Sequence, residues 1–134
     1  MLNEIKEKLD ELRDNKEIPM EAVSYGLLPQ NSKIKNWNYL VFNRTVIKKG
    51  GTSKADFNEY YAVNIIHENY IPDGYIYEVI GKVTEIKGIK LADEQISFQY
   101  TKKGNTDIVV EVATVLFTKA RIRGDVIGKN RTRL

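Results

Sequence analysis

The stretch "DIVVEVATVLFTKARI", residues 107–122, constrains the fold more than any other part of the chain. It is long, β-branched and almost continuously apolar, so alternation cannot put one side in water. Such a segment is a strand covered on both faces or central in a sheet. The remaining residues must therefore supply neighbouring strands and a layer to lie over them.

Three segments are suited to be neighbours. "NYLVFNRTVIKK" (38–49) is rich in β-branched and aromatic residues. "FNEYYAVNIIHEN" (57–69) alternates with period two, which places Phe57, Tyr61, Val63, Ile65 and His67 on one face. The intervening "KKGGTSK" contains paired glycines and ends the first run, so the two segments form a long hairpin with a mobile tip. "EQISFQYTKK" (94–103) alternates Ile96, Phe98 and Tyr100 against polar residues, and "GNT" turns it into the 107–122 strand. A short strand over 21–27, followed by a loop through Pro29, is the expected reading of the ambiguous "MEAVSYGLLP".

Helical spacing occurs twice. Leu2, Ile5, Leu9 and Leu12 form one apolar stripe over 2–14, which Asn15, Ile18 and Pro19 stop. Ile76, Val79, Ile80, Val83 and Ile86 form a second, with Asp73 as the expected N-cap and Gly88 as the stop. The 134 residues are the size of one domain. The expected architecture is an α+β unit over residues 1–122: a mixed or antiparallel sheet of four to five strands, a long β-hairpin, and two helices packed on one face. Residues 123–134 are expected to be a basic, flexible tail.

The chemistry available is narrow. The sequence has no cysteine, which excludes disulfides, thiolate zinc sites and cysteine nucleophiles, and it has a single histidine. His67 needs an orienting partner to act as a base, yet Glu68 beside it points to the opposite face of an extended strand. It is expected to be structural. Asp93–Glu94 and the pair Asp107 and Glu111, which share a face of the last strand, lack the companions that carboxylate chemistry requires. "KKGGTSK" misses the spacing of a phosphate-binding loop, and its glycines do not open a helix. Tyr70, Tyr75 and Tyr77 stand among Ile71, Asp73 and Glu78, which suits packing or a protein interface better than nucleic acid. The expectation is a protein with no catalytic residue, no cofactor and no metal.

Charge is unevenly placed. Residues 119–134 hold six bases against Asp125, a balance of +5, while the other 118 residues hold 15 bases against 17 acids. Arg121, Arg123, Lys129, Arg131 and Arg133 could form a docking arm for an acidic partner, and a solvated terminus would have the same composition. The N-terminal "MLNEIKEKLDEL" has no signal-like apolar region, and no run approaches a membrane span, so a cytoplasmic site of synthesis is expected.

The order helix, long hairpin, helix, hairpin resembles the tail terminator, or tail-to-head joining, proteins of long non-contractile-tailed bacteriophages (siphophages). The likeness is carried by helix 2–14, "NYLVFNRT", "FNEYYAVNIIHENYIPDG", the helix through Val79–Ile86 and "ISFQYTKKGNTDIVVEVATVLFTKARI". The resemblance implies a ring, usually of six subunits, that caps the tail tube, stops its polymerisation and meets the head connector or stopper protein. It implies a virion location at the head–tail interface, and a channel through which the genome DNA passes. In such a ring the hairpin tip, with Lys48, Lys49, Gly50, Gly51 and Lys54, is expected to line the channel. Two other classes compete: a nucleic-acid-binding module using the basic loop and tail, and a small hydrolase using His67 or Asp107 and Glu111. The first should show a steep salt dependence, and the second should lose activity when those residues change.

Overall fold

The computed structural model describes residues 1–15, 17–18, 20–27, 36–50, 56–92 and 95–122. The elements in chain order are α1 (Leu2–Arg13), β1 (Ala22–Tyr25), β2 (Tyr39–Lys49), β3 (Asp56–Glu68), α2 (Tyr75–Val83), β4 (Ile89–Leu91), β5 (Ser97–Lys102) and β6 (Val109–Ile122). β6 is central in the sheet as its composition implies, yet it does alternate: Ala113, Val115 and Phe117 are buried and Thr114 between them is exposed. β3 pairs with it antiparallel along the whole of its length, while β5 and β4 share its other edge, at 109–114 and 117–119 respectively. β2 pairs antiparallel with β3, and β1 adds a parallel strand at the far edge. The class is α+β, with a mixed sheet of six strands, one more than the upper end of the expected range. The additional strand, β4, is three residues long, too short to display a period of two.

Both helices lie on one face. Ile5, Leu9 and Leu12 of α1 and Tyr75, Val79 and Val83 of α2 are buried against Leu40, Phe42, Val63, Ile65, Ala113, Val115 and Phe117 of the sheet. Period two on the strands and the helical stripes select the same core, so the patterns of the two layers agree. Ion pairs between Lys82 and Glu11 (2.9 Å) and between Lys8 and Glu85 (2.9 Å) join the exposed sides of the helices. These are surface pairs, screened by solvent and of little weight for stability.

α2 is shorter than its apolar stripe. It starts at Tyr75 with Gly74, not Asp73, in the N-cap position, because the chain turns there through φ +86°, a region costly for any residue with a Cβ. It ends at Val83, and Ile86 is buried from the turn that follows.

Among the described residues, no helix lies on the opposite face of the sheet. A small cluster of Tyr39, Val41, Ile66 and Val110 lies at one end. Beside it runs a polar ladder across three strands: Thr114 Oγ1 donates to Asn64 Oδ1 (2.7 Å), and Asn64 Nδ2 donates to Asn43 Oδ1 (3.3 Å).

The hairpin is bent by a bulge. Arg44 pairs with Tyr61 but Val46 pairs with Tyr60, which leaves Thr45 as the extra residue. The bulge shifts the phase of β2, so Ile47 and Lys49 lie opposite Glu59 and Phe57 on the helix-bearing side.

Candidate interaction surfaces

Beyond the bulge the side chains of β2 are exposed. Val46–Lys49, Phe57–Tyr60 and Lys119–Ile122 form a three-stranded ribbon in which Val46, Ile47 and Phe57 are exposed apolar side chains. Ile47 is 59% exposed. On the helix-bearing side the ribbon presents Ile47 and Phe57 in a grid with Lys49, Glu59, Lys119 and Arg121. On the other side, Lys48 places its ammonium 5.1 Å from the centre of the Tyr60 ring, a cation–π contact.

The hairpin tip is shorter than the sequence suggests. Lys48 and Lys49 are exposed residues of β2, not of the loop, because the ladder continues to Lys49↔Phe57. Gly50 closes the stem: its N–H donates to the Asp56 carbonyl at 2.9 Å, and a Cβ there would come within 2.9 Å of Asn58 Nδ2. Gly51 and Lys54 lie outside the described residues.

Arg121 is corrected from the docking arm to the body of the sheet. Its Nε donates to Glu59 Oε1 at 2.6 Å, and Tyr61 Oη donates to the same oxygen at 3.2 Å. The Glu59 hydrogen bond holds the Arg121 guanidinium above its ordinary pKa. Charge alone grouped Arg121 with the tail, whereas strand pairing sets it beside an acid 62 residues upstream. Arg123, Lys129, Arg131 and Arg133 lie outside the described residues.

The candidate titratable groups are held by local contacts. His67 is half-buried, and its Nδ1 donates to the Glu68 carbonyl at 2.8 Å. Its cross-strand neighbour is Glu111. Both Glu111 oxygens are engaged: Oε1 accepts the Ile71 N–H (2.8 Å) and Oε2 the Tyr100 hydroxyl (2.9 Å). This carboxylate ties the β3–α2 connection to β5. Asp107 does not share the strand face expected for it, since β6 begins at Val109 and leaves Asp107 fully exposed, 3.9 Å from Lys102. Glu68 pairs with Lys103, whose hydrogen bond holds its carboxyl below the ordinary range. Asp93 and Glu94 lie outside the described residues. Among the described residues, no three His, Asp or Glu side chains stand together as a metal ligand set. No helix among them is long and apolar enough to cross a membrane.

The second surface is a groove that sequence reading missed. It lies between α2, the 70–74 connection, β4 and β5, has a volume of about 740 Å³, and is lined by Tyr70, Ile76, Tyr77, Ile80, Leu91 and Phe98. Tyr77 is 77% and Phe98 44% exposed. The tyrosine segment hinted at an interface. Its other wall comes from β4 and β5, which pattern alone does not bring against α2. Tyr75, from the same segment, is fully buried instead.

The chain matches no protein-family model and no curated protein sequence.

Proposed function

We propose that this protein is a virion assembly protein of a siphophage: a tail terminator whose copies form a ring, hexameric in the simplest case, on the end of the tail tube. The observation that carries the reading is the projecting ribbon. Four residues of β2 past the bulge extend about 13 Å, with their side chains exposed on both faces. Exposed apolar side chains on such an extension suit contact with another chain. The sheet face away from α1 and α2 offers a second broad surface, suited to the tube protein or the head connector.

In this reading the tip beyond Gly50 points toward the channel. Lys48, on the ribbon face away from the helices, contributes positive charge that contacts passing genome DNA without reading its sequence. Residues 123–134 act as an arm toward the connector or tube. Membrane attachment and cofactors have no part in the proposal.

The experiment is tube assembly from the tail-tube protein of the same phage, with and without stoichiometric terminator. Shorter tubes with a ring at one end are expected in negative-stain images. Unchanged tube lengths and bare ends would overturn the reading. The competing nucleic-acid module would instead bind duplex DNA as a monomer, with an affinity that falls steeply between 50 and 200 mM salt, on the order of 10³-fold or more for six or more phosphate contacts.

A further inference from the structure

We infer that the groove between α2 and β5 is the socket for the ribbon of a second copy of this chain, so that each protomer in the ring inserts its β2–β3 hairpin stem into its neighbour. The inference rests on the ring reading above and names the contact that would build it.

Three observations select this occupant. The first is shape and polarity. The groove is open and apolar, floored by Ile76 and Ile80 and walled by Tyr77 and Phe98. The ribbon offers Ile47 and Phe57 as exposed apolar side chains on its helix-bearing side.

The second is charge. Among the described residues, the charged side chains lining the groove are Asp73 and Glu111, with no base. The ribbon grid around Ile47 and Phe57 holds three bases, Lys49, Lys119 and Arg121, against the single acid Glu59. An acidic socket and a basic plug attract, and two sockets or two plugs repel. This disfavours a symmetric groove-to-groove contact.

The third is placement. Phe98 is paired through Ala113 with Ile65, whereas Ile47 is paired with Glu59, six residues away along β3. Phe98 and Ile47 thus lie about 20 Å apart along the strand direction, with β3 and β6 between their strands. The near end of the groove, Leu91, is paired through Phe117 with Tyr61, two residues from Glu59. A chain cannot fill its own groove with its own ribbon. Two unlike patches on different strands of one chain make a head-to-tail contact, which generates a closed ring or an open filament.

The absence of cysteine from the sequence makes the test direct. The double variant Ile47→Cys, Tyr77→Cys is treated with a thiol oxidant in the presence of tube protein, alongside the two single variants. A ladder of covalently linked chains ending at the ring size is expected only for the double variant, since each link needs one cysteine from the plug and one from the socket. Mixing the two single variants should stop at linked dimers. Ile47→Glu and Tyr77→Glu, both at exposed positions, should keep the melting temperature of the parent and reduce tube capping at least tenfold.

The failure of this inference and that of the ring reading are distinguishable. Tubes capped normally while the 47–77 pair never cross-links would overturn the socket and leave the ring. Loss of capping in Tyr77→Glu with undiminished capping in Ile47→Glu would assign the groove to the tube protein and overturn the self-contact. A cross-linked ladder formed without any effect on tubes would establish the self-contact and overturn the tail role.

Discussion

Arg121 of β6 and Glu59 of β3 are diagonal neighbours, and the 2.6 Å hydrogen bond between them ties two strands of the ribbon together. Both side chains are about three-quarters covered, and Tyr61 shares the same carboxylate oxygen. Arg121→Ala should lower stability by about 1 kcal/mol, and Glu59→Gln by a similar amount, measured by chemical denaturation. The double variant should cost less than the sum of the two, because they remove one interaction.

Glu68 gives the acid limb of the stability profile. Its carboxyl is depressed in the folded state by Lys103, so the contribution is fully present above the unfolded carboxylate value of about 4.3 and is lost as pH falls through the folded one. Stability measured from pH 6 to pH 3 should fall more gently in Glu68→Gln than in the parent. An identical acid limb in both would refute this coupling.

Tyr75 makes the opposite limb. It is fully buried, and no group among the described residues hydrogen-bonds its hydroxyl. Burial first, and Glu78 second, push its phenol far above the ordinary value. Its stabilising share is therefore present below the unfolded value of about 10 and is lost as pH rises above it. Tyr75→Phe should unfold at a higher pH on the alkaline side. At neutral pH it should be equal to the parent or more stable by about 1 kcal/mol, since it removes an unpaired buried hydroxyl.

A chain truncated after Arg123 should retain the parent's melting temperature, because the last strand ends at Ile122 and Arg121 keeps its partner. Tail assembly should be less efficient, as measured by infectious particles recovered. Unfolding of the truncated domain would make the segment a structural strand, and full infectivity would make it a passive terminus. His67→Gln should leave assembly within a small factor of the parent, since the side chain's bond is to a neighbouring carbonyl.

Where structure follows from local periodicity, the sequence was legible. The stripe Ile5, Leu9 and Leu12, the alternation Tyr61, Val63 and Ile65, and the apolar run of β6 each point to the face they bury. What escaped was non-local or marked by a single residue. Nothing in "NRTVI" says that Thr45 is the bulged position, yet the bulge decides which way Ile47 and Lys49 face. The groove needs Tyr77 and Phe98 brought together by the pairing of β5 with β6, a relationship between segments 21 positions apart. Arg121 looked like tail charge until its acid partner was found on another strand.

β6 follows every other strand described, and three of the other five pair with it, β4 and β5 with no other partner. As the chain emerges from the ribosome, β4 and β5 therefore have no hydrogen-bonded neighbour, and the ribbon has two strands instead of three, until residues 109–122 are made. Closing the sheet therefore requires long-range contacts with the last strand, the kind of pairing that slows folding. Any product that stops short of Val109 lacks both the wall of the groove and the third strand of the ribbon.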